Sequence, residues 1–294
     1  MVETVKQHNQ ESIVMLAAVQ FEPRIGCVDE NVKRSVELIN EAADKGANLI
    51  TLPEMCNTGY MFNTREECLG MMERIPEGPT TQAWIKAAKE RNVYIVAGIG
   101  EIDKDGLAYN SCVLVGPEGY IGTHRKLHLW CDDKVFFEPG DSGYQVFSTP
   151  IGRIGMLICF DIWHFESFRI LAGMGADVVC CPSNWPVEAP EALHTLGPTL
   201  CLANASGNNI FIVAPDRIGV ERGCAFAGKS CIVGPEGWYR ADVASDDKEE
   251  IVFASVNLME ARRLNLNQMN VVLRDRRTDL YDEMLGSGML KMPR

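Results

Sequence analysis

Short apolar runs of strand length alternate with segments of helical periodicity along most of the sequence. Residues 13–21 and 48–52 have the length and apolarity of buried strands, whereas Val32, Val36 and Ile39 between them recur at helical spacing. The same alternation predicts helices at 80–90 and 192–206 and strands at 93–99, 111–115, 154–158, 177–181 and 210–214. Repeated units of this kind predict an α/β fold in which helices pack outside sheets.

The length and composition are those of a single folded unit. A chain of 294 residues with 46% hydrophobic residues has ample material for one large core. No linker or repeat divides it, so we predict a flexible tail at 1–12 and one domain over 13–294. The net charge of −12, without a dense Lys/Arg stripe, argues against nucleic-acid and membrane partners. The absence of a signal core or a spanning apolar run favours a cytoplasmic location.

Two patterns that could suggest a metal or a structural disulfide are better explained otherwise. The eleven cysteines are odd in number and form no CxxC pair, and Cys180 and Cys181 lie in a strand-like run, so reduced thiols are expected. His124, His128 and Cys131 could be written as a metal cluster, but a lysine lies between them and a further partner group is lacking. We therefore expect no metal site.

A third pattern imitates a nucleotide-binding motif. Residues 223–230 read GCAFAGKS and fit the P-loop expression. A P-loop must follow a strand and open a helix, whereas Lys229 leads into SCIVGPEG, which is typical of a strand and a turn. We therefore expect no nucleotide cofactor. A serine-hydrolase interpretation also fails, because no GxSxG motif occurs.

Three side chains that could take part in catalysis lie at predicted strand ends or in a partly buried segment. The apolar run at 154–158 ends on Cys159, and a thiol at a strand end beside a helix start can act as a nucleophile near free backbone N–H groups. Glu54 also follows a strand, and apolar neighbours at 127, 129 and 130 indicate that Lys126 is partly buried. For each residue alone, a structural cysteine, a solvated loop glutamate or a surface cation remains an alternative.

Together these segments resemble the signature of a known family. LITLPEMCNTGY around Glu54, THRKLHLW around Lys126 and ICFD around Cys159 resemble the nitrilase superfamily of carbon-nitrogen hydrolases, in the order and at spacings ordinary for that family. The resemblance extends over nearly the whole chain, including AAVQFEP, PSNW and RDRRTDLY. It implies a four-layer α-β-β-α sandwich with two six-stranded mixed sheets.

The resemblance also implies a role for each of the three residues. Glu54 would be the general base, and Cys159 would be the nucleophile that forms a thioester. Lys126 would be the fixed cation that stabilises the oxyanion together with the backbone N–H of Phe160. Members of the family need neither a metal nor an organic cofactor for this chemistry.

Other residues are expected at the substrate side of the site. Many relatives carry a fourth site residue, usually Glu, shortly after the lysine; here Asp133 is the candidate and Glu138 the alternative. Asn184 and Trp185 align with the substrate-side loop of the family. Tyr60, Trp130 and Trp163 could line an aromatic pocket, although such residues are more often core. His164 could form part of the pocket wall, with core packing as an equal alternative.

The residue after the Cys-Phe pair indicates the branch of the family. Asp161 matches the amidase and carbamoylase branches, whereas nitrilases proper carry Trp-Glu after the cysteine. We therefore predict hydrolysis of a small carboxamide to a carboxylic acid and ammonia. The alternatives are N-carbamoyl or nitrile hydrolysis by the same residues, or a catalytically silent scaffold, which would not need all three.

The segment that follows the nucleophile suggests self-association. Residues 164–174 carry more apolar side chains than one helix face needs to cover a sheet: Phe165, Phe168, Ile170, Leu171 and Met174. Part of this surface could be buried by a second copy across a two-fold axis. Burial within one subunit is the alternative. The expected partners are therefore a small-molecule amide and a second copy of the chain.

Overall fold

The computed structural model describes residues 13–187, 196–263 and 265–285. Its helices are α1 (Val28–Asp44), α2 (Arg65–Leu69), α3 (Pro79–Arg91), α4 (Asp133–Phe136), α5 (Phe165–Gly173), α6 (Gly197–Asn208) and α7 (Thr278–Leu285). The strands are β1 (Ile13–Gln20), β2 (Leu49–Thr51), β3 (Tyr94–Ile102), β4 (Ala108–Gly116), β5 (Gly119–Arg125), β6 (Val146–Thr149), β7 (Gly152–Met156), β8 (Val178–Cys180), β9 (Phe211–Ala214), β10 (Val220–Glu221), β11 (Cys224–Ala225), β12 (Cys231–Val233) and β13 (Glu250–Asn257). Two short 3-10 helices span Cys159–Trp163 and Leu258–Arg262.

Two mixed sheets form the centre of the molecule. The first has six strands in the order β13-β1-β2-β3-β4-β5, with parallel pairing only between β1, β2 and β3. The second has the order β12-β9-β8-β7-β6, with a parallel centre and antiparallel edges. It therefore has five strands in the described part of the chain, not the six that the resemblance implies. Strands β10 and β11 form a separate two-stranded ribbon.

The residues that face each other identify four layers. Alternate residues of β1 divide between two clusters: Leu16 belongs to the core between the sheets, and Ala17 to the core beneath α1 and α3. Met156 of β7 contacts Cys112 of the first sheet across the central core. A side chain at Gly155 would instead meet Leu171 of α5. The layer order is therefore α1/α3, first sheet, second sheet, α5/α6, which confirms the predicted α-β-β-α sandwich.

Most predicted elements are present, with shifted ends. The predicted strand at 154–158 is observed as β7, Gly152–Met156; residues 157 and 158 remain buried, and the Leu157 N–H still donates to the Cys180 carbonyl of β8. The helix predicted at 192–206 is observed as α6, Gly197–Asn208, and residues 192–195 lie outside the described part. The predicted tail at 1–12 also lies outside it.

Two further sequence patterns can be compared with the fold. The P-loop-like stretch at 223–230 leads into strand β12 rather than into a helix, as its sequence predicts. Among the described residues, no helix is both long and apolar enough to cross a membrane.

Candidate active site

Glu54 is held at the end of strand β2 by close contact with the neighbouring strand. The chain passes through Leu52 and Pro53 and then brings Glu54 into the protein interior, where its side chain is fully buried. Gly98 of β3 lies against this turn, and a Cβ atom there would be 2.4 Å from the Cα atom of Glu54. Glycine at this position therefore allows the two backbones to approach, and that approach sets where the carboxylate lies.

Lys126 enters the same interior from the end of strand β5. Its Nζ atom lies 2.7 Å from Oε1 of Glu54 and 2.6 Å from Oδ2 of Asp133, and all three side chains are buried. The Lys126 N–H donates to the Asn110 carbonyl, and the Lys126 carbonyl accepts from the N–H of Gly140. The ammonium is thus fixed between two carboxylates by backbone bonds on both sides of its segment.

Cys159 begins a one-turn helix just after strand β7. Its backbone has a φ of 44°, in the left-handed region that few residues other than glycine adopt, and its N–H donates to the Pro182 carbonyl at 2.9 Å. The first N–H groups of a helix have no partner within it, and the N–H of Phe160 lies in this first turn. The Cys159 thiol and a candidate oxyanion donor are therefore adjacent.

Asp161 ties the cysteine segment to the lysine segment. Its buried carboxylate accepts hydrogen bonds from the N–H of Ile158 and from the backbone and ring nitrogens of His128, at 2.7 to 3.0 Å. The Nε2 atom of His124 lies 3.3 Å from Oδ2 of Asp161. Burial alone would raise the pKa of Asp161, but the hydrogen bonds of the two histidines outweigh it and hold this pKa well below the usual range. The carboxylate is therefore a charged link between the two segments.

The three central groups change one another's proton affinity. Burial raises the pKa of the Glu54 carboxyl, and the Lys126 ammonium offsets this only in part. Burial would lower the pKa of Lys126, but the charges of Asp133 and Glu54 raise it well above its ordinary value. Burial, together with the charge of Glu54, raises the pKa of the Cys159 thiol. The lysine is therefore charged, and the thiol needs a neighbouring base to become a nucleophile.

The geometry distinguishes the two candidates for the fourth site residue. Asp133 bonds directly to the Lys126 ammonium and also accepts the N–H of Trp130 at 3.2 Å. Glu138 has a side chain that is 43% exposed, and its nearest cation is Arg65, at 3.9 Å. Asp133 therefore occupies the position beside the lysine, because the short helix α4 directs it inward and leaves Glu138 in the following loop.

Part of the predicted aromatic pocket lies next to this cluster. Tyr60 and Trp130 line a cavity of about 220 Å³ that also borders Asp133. The Lys126 ammonium lies 5.8 Å from the centre of the Tyr60 ring, and the rings of Trp130 and Phe160 are 4.8 Å apart. The cavity therefore borders the charged cluster at Asp133.

The remaining predicted pocket residues have other surroundings. His164 stacks on His128 with ring centres 3.4 Å apart, so it supports the lysine segment and is not among the residues lining the cavity. Trp163 is largely exposed, because the turn after the cysteine points it away from the core. Trp185 is buried against Gly197, where a Cβ atom would meet its ring at about 2.4 Å. None of these three residues is among the described residues that line this cavity.

Asn184 has a position close to two of the reactive groups. Its side-chain amide donates to the Glu54 carbonyl at 2.9 Å, which fixes the backbone of Glu54. A hydrogen bond from its backbone also acts on the Cys159 thiol and opposes the rise of the thiol pKa. Asn184 therefore contacts both the Glu54 segment and the Cys159 thiol.

Sequence reasoning missed several residues that organise the site. Asn110 of strand β4 donates to Oε1 of Glu54 at 2.7 Å, and its only sequence signal is a polar residue inside an apolar strand. Glu221 accepts the N–H groups of Tyr60 and Met61 and is paired with the buried Arg217. Nothing in the sequence near Tyr60 indicates these contacts, because they join segments far apart in the chain.

Comparisons with known proteins identify the family of the chain. Residues 15–265 match the sequence profile of the family described as carbon-nitrogen hydrolase. The chain is 42% identical to a protein named nitrilase from Pyrococcus abyssi, over 92% of this chain and 99% of that protein. It is 32% identical to an (R)-stereoselective amidase from a Pseudomonas species, over 90% and 92% of the two chains.

A solved structure has the same architecture. The carbon-nitrogen hydrolase from Helicobacter pylori G27 superposes with a TM-score of 0.84 at 26% identity, covering 94% of this chain and 99% of the other. The chain therefore belongs to the carbon-nitrogen hydrolase family of the nitrilase superfamily and is a hydrolase of carbon-nitrogen bonds.

Proposed function

We propose that this protein hydrolyses a small carboxamide to a carboxylic acid and ammonia through a thioester on Cys159. The observation that carries the proposal is the buried contact of Lys126 with Glu54 and Asp133, in an interior where the charges of Glu54 and Lys126 also act on Cys159. Three side chains of complementary roles are thus held together at strand ends. A silent scaffold would have no use for such a buried charged cluster, which is costly to fold.

In the first step, the Cys159 sulfur attacks the amide carbon while Glu54 takes the thiol proton. Oε2 of Glu54 is buried and has no hydrogen-bond partner among the described protein groups, so it is available to accept that proton. The oxyanion that forms is stabilised by the Lys126 ammonium and the N–H of Phe160. The carbon-nitrogen bond then breaks as Glu54 returns the proton to the leaving nitrogen, and ammonia departs.

In the second step, water hydrolyses the thioester. Glu54 is again a carboxylate, so it removes a proton from the water as the oxygen attacks the acyl carbon. The second tetrahedral intermediate collapses, the carboxylic acid leaves, and the sulfur regains its proton from Glu54. The raised pKa of Glu54 suits a group that must accept and donate a proton in alternation.

The proposal is tested by ammonia release from a panel of simple amides. Cys159→Ala should abolish turnover and leave the folded state intact, because it removes only one sulfur from a buried position. Cys180→Ala and Cys181→Ala are matched controls that should retain activity, since both thiols are buried in or next to strand β8. Full activity of Cys159→Ala would refute the proposed mechanism.

Thiol labelling gives a second readout, provided that other accessible cysteines are removed. Cys131 is exposed, and Cys27 and Cys224 are half-buried, so iodoacetamide will modify more than the nucleophile in the native chain. In a Cys131→Ser/Cys224→Ser background, which removes both thiols that line the cavity, loss of ammonia release should follow labelling of Cys159. Inactivation that instead followed labelling of Cys27 would contradict the assignment.

Nitrile hydrolysis is the second candidate function. It is favoured by the 42% identity to a protein named nitrilase, whereas Asp161 after the Cys-Phe pair favours amides. N-carbamoyl hydrolysis would use the same residues. Ammonia release from matched amides, ureido acids and nitriles decides among the three: we expect the highest kcat/KM with the amide.

We also propose that the protein acts in the cytoplasm as a homodimer. Support for the dimer comes from helix α5, which separates its apolar side chains into two sets. Phe168 and Leu171 are fully buried within the subunit, whereas Phe165 and Ile170 are 49% and 40% exposed. Phe168 and Leu171 therefore pack within the subunit, and only part of the apolar set is left for a second copy. The exposed set, with Met174, remains available to a second copy.

A further inference from the structure

The cavity beside Asp133 has a wall made mainly of aromatic side chains. Tyr60, Phe62, Trp130 and Phe136 all line it. The rings of Phe62 and Phe136 meet edge to face, with centres 5.8 Å apart, and both residues belong to one buried hydrophobic cluster. Such a wall favours an apolar ligand, because binding removes apolar area of both the ligand and the wall from water.

The cations near this wall are already paired with carboxylates. Lys126 is shared between Glu54 and Asp133, while Arg222 and Arg65, which donate to backbone carbonyls of the wall, pair with other glutamates. No Lys, Arg or His side chain is among the described residues that line the cavity. A substrate with a carboxylate tail would therefore lose its hydration without gaining a counter-ion.

The acidic residues of the cavity are not suited to a cationic tail either. The charge of Asp133 is neutralised by the Lys126 ammonium, 2.6 Å away. Asp132 is exposed at the rim, where water screens its charge. Inside the cavity, a charged tail of either sign would thus be surrounded by aromatic rings and an ion pair that is already complete.

We infer that the substrates are neutral carboxamides with an apolar tail, and that the aromatic wall excludes amides whose tail carries a charge. The inference rests on the proposed amide hydrolysis and adds to it the class of substrate. The tail lies along Tyr60, Trp130 and Phe62, and the amide group lies on the side of the cavity where Asp133 borders the charged cluster. Specificity is then set by the wall, whereas the chemistry is set by the buried charged cluster.

The test compares three amides of equal chain length on the full-length protein. Hexanamide has a neutral tail, 6-aminohexanamide a cationic end and 5-carbamoylpentanoate an anionic end. We expect kcat/KM for hexanamide to exceed that of either charged amide by on the order of a hundredfold, since a buried charge without a partner is costly. Shortening the neutral tail should lower kcat/KM about fourfold for each methylene removed.

A change of charge in the wall provides the second measurement. Cys224 lines the cavity and is half-buried, so a longer polar side chain can be accommodated at the rim. Cys224→Arg should raise kcat/KM for 5-carbamoylpentanoate relative to hexanamide by about tenfold, because it supplies the missing counter-ion. Cys224→Gln, which is polar but uncharged, is the matched control and should leave the ratio nearly unchanged.

The outcomes separate this inference from the proposed function. Hydrolysis that requires Cys159 but favours either charged amide over hexanamide would overturn the inference and leave the reaction standing. Absence of hydrolysis for all amides would overturn the reaction. If only nitriles react, the same ranking measured with the three matched nitriles decides the preference for the tail.

Discussion

At the scale of single residues, the position of Lys126 is fixed by two contacts of its ammonium with buried carboxylates. Lys126→Gln keeps the approximate length but removes the charge. We expect kcat to fall by about a hundred- to a thousandfold, as for loss of one oxyanion donor, with a much smaller change in KM. Steady-state kinetics on hexanamide provide the measurement.

The same substitution leaves Glu54 and Asp133 without their cation, which by itself destabilises a fold by about 3–5 kcal/mol. The double variant Lys126→Gln/Asp133→Asn removes one of the two carboxylates and is the control for stability. Its unfolding midpoint should recover while kcat remains low. An increase in KM with unchanged kcat would instead assign Lys126 to substrate recognition.

The titration of His164 should make the stability of the folded protein depend on pH. Burial, together with the neighbouring His128 ring, lowers the pKa of His164 in the folded chain. As the pH falls below about 6.5, the unfolded chain binds a proton that the folded chain resists, so stability decreases. His164→Phe keeps a ring against His128 but cannot titrate.

Thermal unfolding at several pH values between 5 and 8 provides the measurement. The stability of the wild type should decrease more between pH 7 and pH 5 than that of His164→Phe. Equal pH dependence of the two proteins would mean that this ring stack does not contribute to the loss of stability in acid.

At the scale of elements, Asp161 links the turn after β7 to the segment after β5. Its carboxylate accepts the N–H of Ile158, at the end of the strand segment, and both the backbone and ring nitrogens of His128. Asp161→Asn removes the charge and turns one acceptor into a donor. We expect a loss of about 3 kcal/mol in the free energy of unfolding, since hydrogen bonds to charged groups are the stronger ones.

Activity should fall with stability in this variant, because the segments that carry Cys159 and Lys126 are no longer held at fixed positions relative to each other. Chemical denaturation and kcat measured at a temperature where the variant is folded separate the two effects. Asp132→Asn is the control: Asp132 is an exposed acidic residue four positions after His128, and its substitution should leave the stability unchanged. A fully active and fully stable Asp161→Asn protein would contradict the proposed link.

The elements also indicate how far sequence reasoning can reach. Apolar runs such as β1 and β3 were predictable because one property, burial of a strand, fixes their pattern. The contact between Glu54 and Lys126 spans 72 residues, so its occurrence followed from family resemblance rather than from local pattern. The stacking of His164 on His128 depends on the path of two loops, which no local propensity encodes.

At the scale of the whole molecule, the exposed face of helix α5 predicts a dimer. Phe165→Glu places a charge on this face without touching the core, whereas Phe168→Glu would disrupt the core itself, because Phe168 is fully buried. We expect wild type to sediment as a dimer at micromolar concentration and Phe165→Glu to sediment as a monomer with reduced turnover. Helix α5 follows directly after the Cys159 turn, so we expect loss of the dimer to lower activity.

Val220→Glu is the matched control, since Val220 is also an exposed apolar residue but lies on strand β10. This variant should remain a dimer with normal activity. A wild-type monomer with full turnover would exclude the dimer as a requirement for function.

The central claim is that an acyl group is carried on Cys159, and hydroxylamine tests it directly. Hydroxylamine competes with water for a thioester, so turnover of hexanamide in its presence should yield the hydroxamate together with the acid. The product ratio should rise with hydroxylamine concentration in wild type and in Cys131→Ser, and neither product should form in Cys159→Ala. Turnover that releases ammonia but yields only the acid at every hydroxylamine concentration would contradict a thioester on Cys159.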